Sequence, residues 1–263
     1  MVIDPSGEAR TLHLPFDAYE PSAPHLELVR QAIEILTSRC ARARGYDRPV
    51  LPPINVIDAP DRRRYGVIEI EVARATGYRL PRTSAEKALR QAADARKGDR
   101  DPAARAAIGE CLDQSNARVY AKDDQPGLLA QLEKESFEGT RRNDPKVKAV
   151  FADWRTCMTQ KGQHGYADPL EAGGDDRWQG PRIDKAETDT AVADVECKQK
   201  VGLVATWHEA EKAFQTKAVA QHRSYFAQVR RTLQQEETTA RNIISGPSCV
   251  IACAPSSGPR TSG

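Results

Sequence analysis

From Pro24 onward the apolar residues recur at intervals of three and four. Leu26, Val29, Ile33 and Leu36 or Thr37 mark one face of a predicted helix that carries Cys40 a turn further on and stops at Gly45. Tyr46 follows, and Pro49, Pro52 and Pro53 forbid continuation. Residues 47–66 read as loop. Ile68, Ile70 and Val72 alternate as in a short strand, but Glu69, Glu71 and Ala73 to Ala75 before Gly77 fit a short helix, the reading favoured here. Residues 81–103 are polar and Ala-rich, with a turn over 97–102. Pro102 then opens a helix in its first turn, running through Cys111 toward Tyr120.

Pro126 and Gly127 open the next helical stretch. Leu128, Leu129, Leu132 and Phe137 are followed by Val147, Val150, Phe151 and Trp154, with a break at Asn143-Asp144-Pro145, where an N-cap meets a first-turn proline. Residues 162–184 hold five Gly and two Pro and read as loop. From Lys185 to Ile244 there is no Pro and only one Gly, Gly202. Val192, Val195, Leu203, Trp207, Phe214, Phe226, Val229 and Leu233 mark an apolar stripe along it. Unbroken, such a helix spans about 90 Å, with Gly202 as the place for a kink or break.

The pattern predicts a mainly α protein, a helical bundle with a long C-terminal helix and long loops. Residues 1–23, with Pro5, Pro15 and Pro21, form an extended N-terminal arm, of which the stretch before Leu12 is suited to a spacer. Residues 24–122 form a first helical half with a Pro-rich loop. Residues 123–244 form a second half with the Gly-rich loop and the long helix, and 245–263, rich in Ser, Gly, Pro and Thr, read as a disordered tail. The halves echo each other: helix, Cys40, Gly45-Tyr46, Pro49, loop, Cys111; then helix, Cys157, Gly165-Tyr166, Pro169, loop, Cys197. A duplicated loop closed at its base explains the echo, as does coincidence between two helix ends.

Composition changes the picture in one respect. Leu, Ile, Val and Phe make up 48 of 263 residues, few enough to border on disorder, but a net charge of +2 does not force the chain open. Covalent ties would help such a chain. Cys40, Cys111, Cys157 and Cys197 are widely spaced and form no C-x-x-C, which fits structural disulfides and an oxidising compartment; buried free thiols in a cytosolic protein are the alternative. Four cysteines allow three pairings, and neighbour pairing, Cys40–Cys111 and Cys157–Cys197, is the expectation. The near-zero charge gives no global attraction to nucleic acid, and no apolar run is long enough to cross a membrane. The opening residues MVIDPSGEAR lack a basic and an apolar leader region, so membrane attachment is expected only through a leader not present in this sequence.

Candidate chemistry is sparse. His208-Glu209 begins an H-E-x-x-H, but the fifth position is Lys212. His208 and His222 share a helical face roughly 21 Å apart, too far for a common metal. No nucleophile elbow or phosphate loop occurs, and no metal or cofactor is expected. Arg62, Arg63 and Arg64, flanked by Asp58 and Asp61, suit local ion pairing or an anionic headgroup. Trp154 and Trp207 lie on apolar stripes and are expected in the core. In the 162–184 loop, His164, Asp168, Asp175, Asp176 and Trp178 are the candidate binding residues, with Trp178 able to stack on a ligand if exposed and the Asp-rich turn able to seat a cation. Cys249 and Cys253, four apart, suit a bridge to each other or to another chain.

Trp154-Arg155-Thr156-Cys157-Met158, Gly165-Tyr166, Asp168-Pro169 and Ala193-Asp194-Val195-Glu196-Cys197 resemble elements of a family of actinobacterial extracytoplasmic proteins, many with lipoprotein leaders. Tyr65-Gly66-Val67, Val72-Ala73, Gly77-Tyr78 and Gly109 to Cys111-Leu112 are similar to its first half. The likeness covers roughly residues 12–244 and implies export, helices and disulfides, with no activity attached. The Cys249, Cys253 pair departs from the pattern. The expectation is a cell-envelope or secreted binding or scaffold protein that meets a protein or cell-wall component through the long helix or the loops, or that self-associates through that helix. An enzyme with a site at 162–184 and a cytosolic helical partner protein are the alternatives.

Overall fold

Ser22 accepts a hydrogen bond from the His25 N–H at 3.3 Å, and Pro24 follows in the first turn, so the first long helix starts where a cap and a proline adjoin. The structure is a computed structural model that describes residues 1–94, 96, 101–121 and 127–246. Among the described residues the helices are α1 Glu8–Thr11, α2 Ala23–Ala43, α3 Ile70–Thr76, α4 Ser84–Asp94, α5 Pro102–Val119, α6 Leu128–Asn143, α7 Pro145–Gln160, α8 Pro169–Gly173, α9 Lys185–Val201, α10 Leu203–Gln221 and α11 Arg223–Ser245. Short 3-10 turns cover Pro15–Tyr19 and Asp176–Gln179. No strand occurs among these residues, only one isolated bridge between Val2 and Arg82. None of the helices is long and apolar enough to cross a membrane. The fold is mainly α, as the periodicity predicts.

Both disulfides have neighbour pairing. Cys40 on α2 joins Cys111 on α5, and Cys157 on α7 joins Cys197 on α9, each with a Cα–Cα distance of 5.7 Å. The cross-links span 71 and 40 positions, and each removes roughly 4 kcal/mol of unfolded-chain entropy. They tie two different bodies of core. The larger gathers Val150, Trp154, Cys157, Cys197, Trp207 and Tyr65 around α7, α9 and α10. The smaller joins α2, α5 and α11 through Val29, Ala32, Ile33, Val119, Ala240 and Ile243. Trp207 sits fully buried between Tyr65, Phe137 and Phe151, with ring centroids 4.9, 4.9 and 5.2 Å away. Trp154 is equally buried, so both tryptophans are core. Leu26, placed on the apolar face of α2 by its spacing, is 48% exposed instead.

Three sequence expectations are corrected. The N-terminal arm is not extended throughout but packs onto the bundle, with Ala9 fully buried in α1. Leu12, Leu14 and Phe16 are buried, and the Phe16 ring lies 5.3 Å from that of Phe226. The Phe16 N–H donates to Gln215 Oε1 at 2.9 Å, which anchors the segment to α10. The 162–184 segment contains α8 and a 3-10 turn rather than only loop. The long C-terminal helix is three helices. Gly202 breaks it in the left-handed region at φ 68°, where glycine meets no steric penalty. A second break falls at His222, φ −111° and ψ 38°, a bend open to any residue and so without a glycine or proline to announce it. The bend turns α11 away from α6 and α7, against which α10 packs, and onto α2. Residues 97–100 of the predicted turn, Pro126, and residues 247–263 of the predicted tail, with Cys249 and Cys253, lie outside the described residues.

Candidate functional site

Asp168, Asp175 and Trp178 serve the fold. Asp168 accepts from the N–H groups of Leu170 and Glu171, capping α8, and pairs with the Arg141 guanidinium at 2.6 Å. Asp175 accepts from the Arg177 N–H at 2.9 Å, from the Arg177 guanidinium at 2.7 Å and from the Tyr166 hydroxyl at 3.0 Å. These bonds, led by that of Arg177, hold its carboxyl far below the usual range. Trp178 is buried; its indole N–H donates to the Ala172 carbonyl at 2.8 Å and its ring stacks near Tyr78. His164 and Asp176 are exposed, and among the described residues no hydrogen bond or ion pair links them to the other three. A shallow depression of about 420 Å³ beside this segment, lined by Arg155, Gln163, Tyr166 and Glu171, contains none of the five. No group of three or more His, Cys, Asp or Glu side chains among the described residues is arranged to hold a metal ion.

The arginine run also turns inward. Arg62 pairs with Glu69 at 2.7 Å, and Arg63 donates to the Tyr78 carbonyl at 2.5 Å. Arg64 forks onto Glu211 and reaches Glu133 at 2.7 Å. Tyr65 donates to Glu211 at 2.7 Å and Ser136 donates to it at 3.0 Å. Asp61 lies 3.6 Å from Arg64, and burial, then the negative charges of Asp17, Glu133 and Glu211, push its carboxyl up to about 7. In the larger core Lys198 donates to Asp194 at 2.8 Å and to the Val67 carbonyl at 2.8 Å, while Trp154 donates to the other oxygen of Asp194 at 3.0 Å. Full burial drives both members of that pair toward their neutral forms. These groups stitch together segments far apart in sequence.

Open space lies elsewhere, between α2, the Pro-rich loop and α4. Prolines 49, 52 and 53 lack N–H groups, so the stretch 49–53 cannot form a ladder, and side chains of α2 hold carbonyls of the loop instead. Arg30 donates to Pro52 O at 3.0 Å, Gln31 to Leu51 O at 3.2 Å and Ser38 to Arg48 O at 2.5 Å. Glu27 accepts from the Ile54 N–H at 2.9 Å and from Arg30 at 2.6 and 2.7 Å. Helix α4 is fixed by its ends. Asp4 accepts from the Ser84 N–H at 2.7 Å and from its hydroxyl at 2.6 Å, Thr83 and Glu86 form a reciprocal cap, and beyond the far end Arg96 pairs with Glu34. Along its length no residue of α4 is buried.

A helix held by its ends stands off from α2 and leaves a groove of about 740 Å³. Leu26, Pro52, Pro53, Ile54, Ala88 and Leu89 give it a mostly apolar surface, with Arg30, Glu27, Asp4 and Glu86 as its charged groups. The volume and the mix of apolar wall with a few polar groups match ligand clefts in general. Sequence reasoning missed it, although Ala85, Ala88, Leu89 and Ala92 recur at three and four within a segment read as polar and Ala-rich. Comparison with protein-family models, with curated proteins and with solved structures returns no match.

Proposed function

We propose that this chain is a cell-envelope or secreted binding protein whose ligand surface is the groove between α2, the Pro-rich loop and α4. The observation that carries the reading is the groove itself: about 740 Å³ of mostly apolar space beside an amphipathic helix with no buried residue. Asp168, the Arg64–Glu211 pair and the Lys198–Asp194 pair are engaged in a cap and in buried contacts, which suits a rigid scaffold more than a reaction centre. Two long-range disulfides fit a non-reducing compartment. The likeness of the W-x-x-C-M element to exported actinobacterial proteins supports the same placement.

The test uses the uncharged dye 1-anilinonaphthalene (N-phenyl-1-naphthylamine) on the native full chain. The expected result is saturable fluorescence enhancement that Leu89→Glu abolishes while leaving the thermal midpoint within a few degrees of the parent. Enhancement that Leu89→Glu leaves unchanged, or none at all, would overturn the assignment of the ligand surface.

A further inference from the structure

The groove is asymmetric, and its asymmetry points to one class of occupant, an inference that rests on reading the groove as the ligand surface. One wall is a helix presenting Ala85, Ala88 and Leu89. The other is irregular chain without helix or ladder, Pro52 to Ile57. In that second wall the N–H groups of Asn55, Val56 and Ile57 bond to no other group among the described residues. Unpaired main-chain groups next to apolar surface are what an added strand completes: its carbonyls and N–H groups give affinity, and its alternate side chains fill the apolar wall.

Charge narrows the class further. Three carboxylates, Asp4, Glu27 and Glu86, face one guanidinium, Arg30, which already commits Nε and Nη2 to Glu27. The groove is therefore short of positive charge, and an anionic amphiphile such as a fatty acid would meet repulsion. One ligand chemistry answers all of these features: main-chain amides for the donors, aliphatic side chains for the wall, and a cationic side chain for the carboxylates. We infer that the groove binds an extended peptide segment with aliphatic side chains and at least one Lys or Arg, paired as a strand against Asn55 to Ile57.

The test titrates the full disulfide-bonded chain with fluorescein-labelled acetyl-Val-Lys-Val-Lys-Val-amide and, separately, with its Val-Glu-Val-Glu-Val counterpart, followed by anisotropy and by amide NMR. The expected result is saturable binding of the basic peptide, at least tenfold weaker binding of the acidic one, and at least tenfold weaker binding of the basic peptide to Leu89→Glu. The amide signals of Asn55, Val56 and Ile57 should shift on binding. Equal binding of both peptides, binding unaffected by Leu89→Glu, or shifts confined to another face would overturn the inference. If the basic peptide fails while the anilinonaphthalene probe still reports the groove, the peptide class falls and the ligand surface stands. If both fail, both fall.

Discussion

Arg64 and Glu211 stand 147 positions apart in sequence and share two hydrogen bonds, 2.7 and 2.8 Å, with the Glu211 side chain wholly buried. The pair fastens the loop before α3 to α10, and Glu133, Tyr65 and Ser136 complete the polar shell. Removing one partner leaves a buried charge without compensation, at about 3–5 kcal/mol. Arg64→Ala should therefore lower unfolding free energy by that amount in urea titrations. The double variant Arg64→Met with Glu211→Leu should recover much of the loss, because it removes both charges together. Equal losses in the single and double variants would mean that the pair is not energetically coupled.

Asp61 should make the protein less stable as the pH rises from about 4 to neutrality. Its carboxyl ionises near 3.8 when unfolded and at about 7 when folded, where burial and the carboxylates of Asp17, Glu133 and Glu211 oppose its charge. The folded state thus keeps a proton that the unfolded chain has lost, and stability declines between roughly pH 4 and 7. The difference amounts to roughly 4 kcal/mol. Asp61→Asn should flatten this decline, raising the thermal midpoint at pH 8 relative to the parent and changing it little at pH 4. Parallel pH profiles for parent and variant would contradict the account.

Phe16 closes the side of the bundle where α10 bends into α11. It has no exposed surface and packs against Phe226, while its N–H holds Gln215. Phe16→Ala should cost about 3–5 kcal/mol, the range for emptying a buried aromatic site. Guanidinium unfolding followed by circular dichroism measures it. A cost below about 1 kcal/mol would mean that the N-terminal segment is a dispensable arm after all.

The helices were legible because their signals are local. Ser22, Asp101 and Asp144 cap helices just ahead of first-turn prolines, and Gly202 marks a break with the one residue type free to adopt its φ. The His222 bend carries no such mark, since its dihedrals suit any residue. Phe16 sits in a segment too short for periodicity, so its burial depends on Phe226, 210 positions away. Asp168 and Asp175 were visible as unusual residues, but the same carboxylate that could hold a ligand also caps a helix, and only Arg141 and Arg177 decide between the two. The groove depends on α4 standing off from α2, a tertiary relation set by Asp4 and Glu34, and no pattern within α4 encodes it.

Export is the half of the proposed function that places the chain in the cell envelope or outside the cell, and the state of four thiols tests it most directly. Cells producing the protein are quenched with iodoacetamide before lysis, and the chain is digested without reductant and analysed by mass spectrometry. The account predicts two linked peptide pairs, Cys40 with Cys111 and Cys157 with Cys197, and no carbamidomethyl group at any of the four. Carbamidomethylation at all four cysteines in the freshly quenched protein would contradict it.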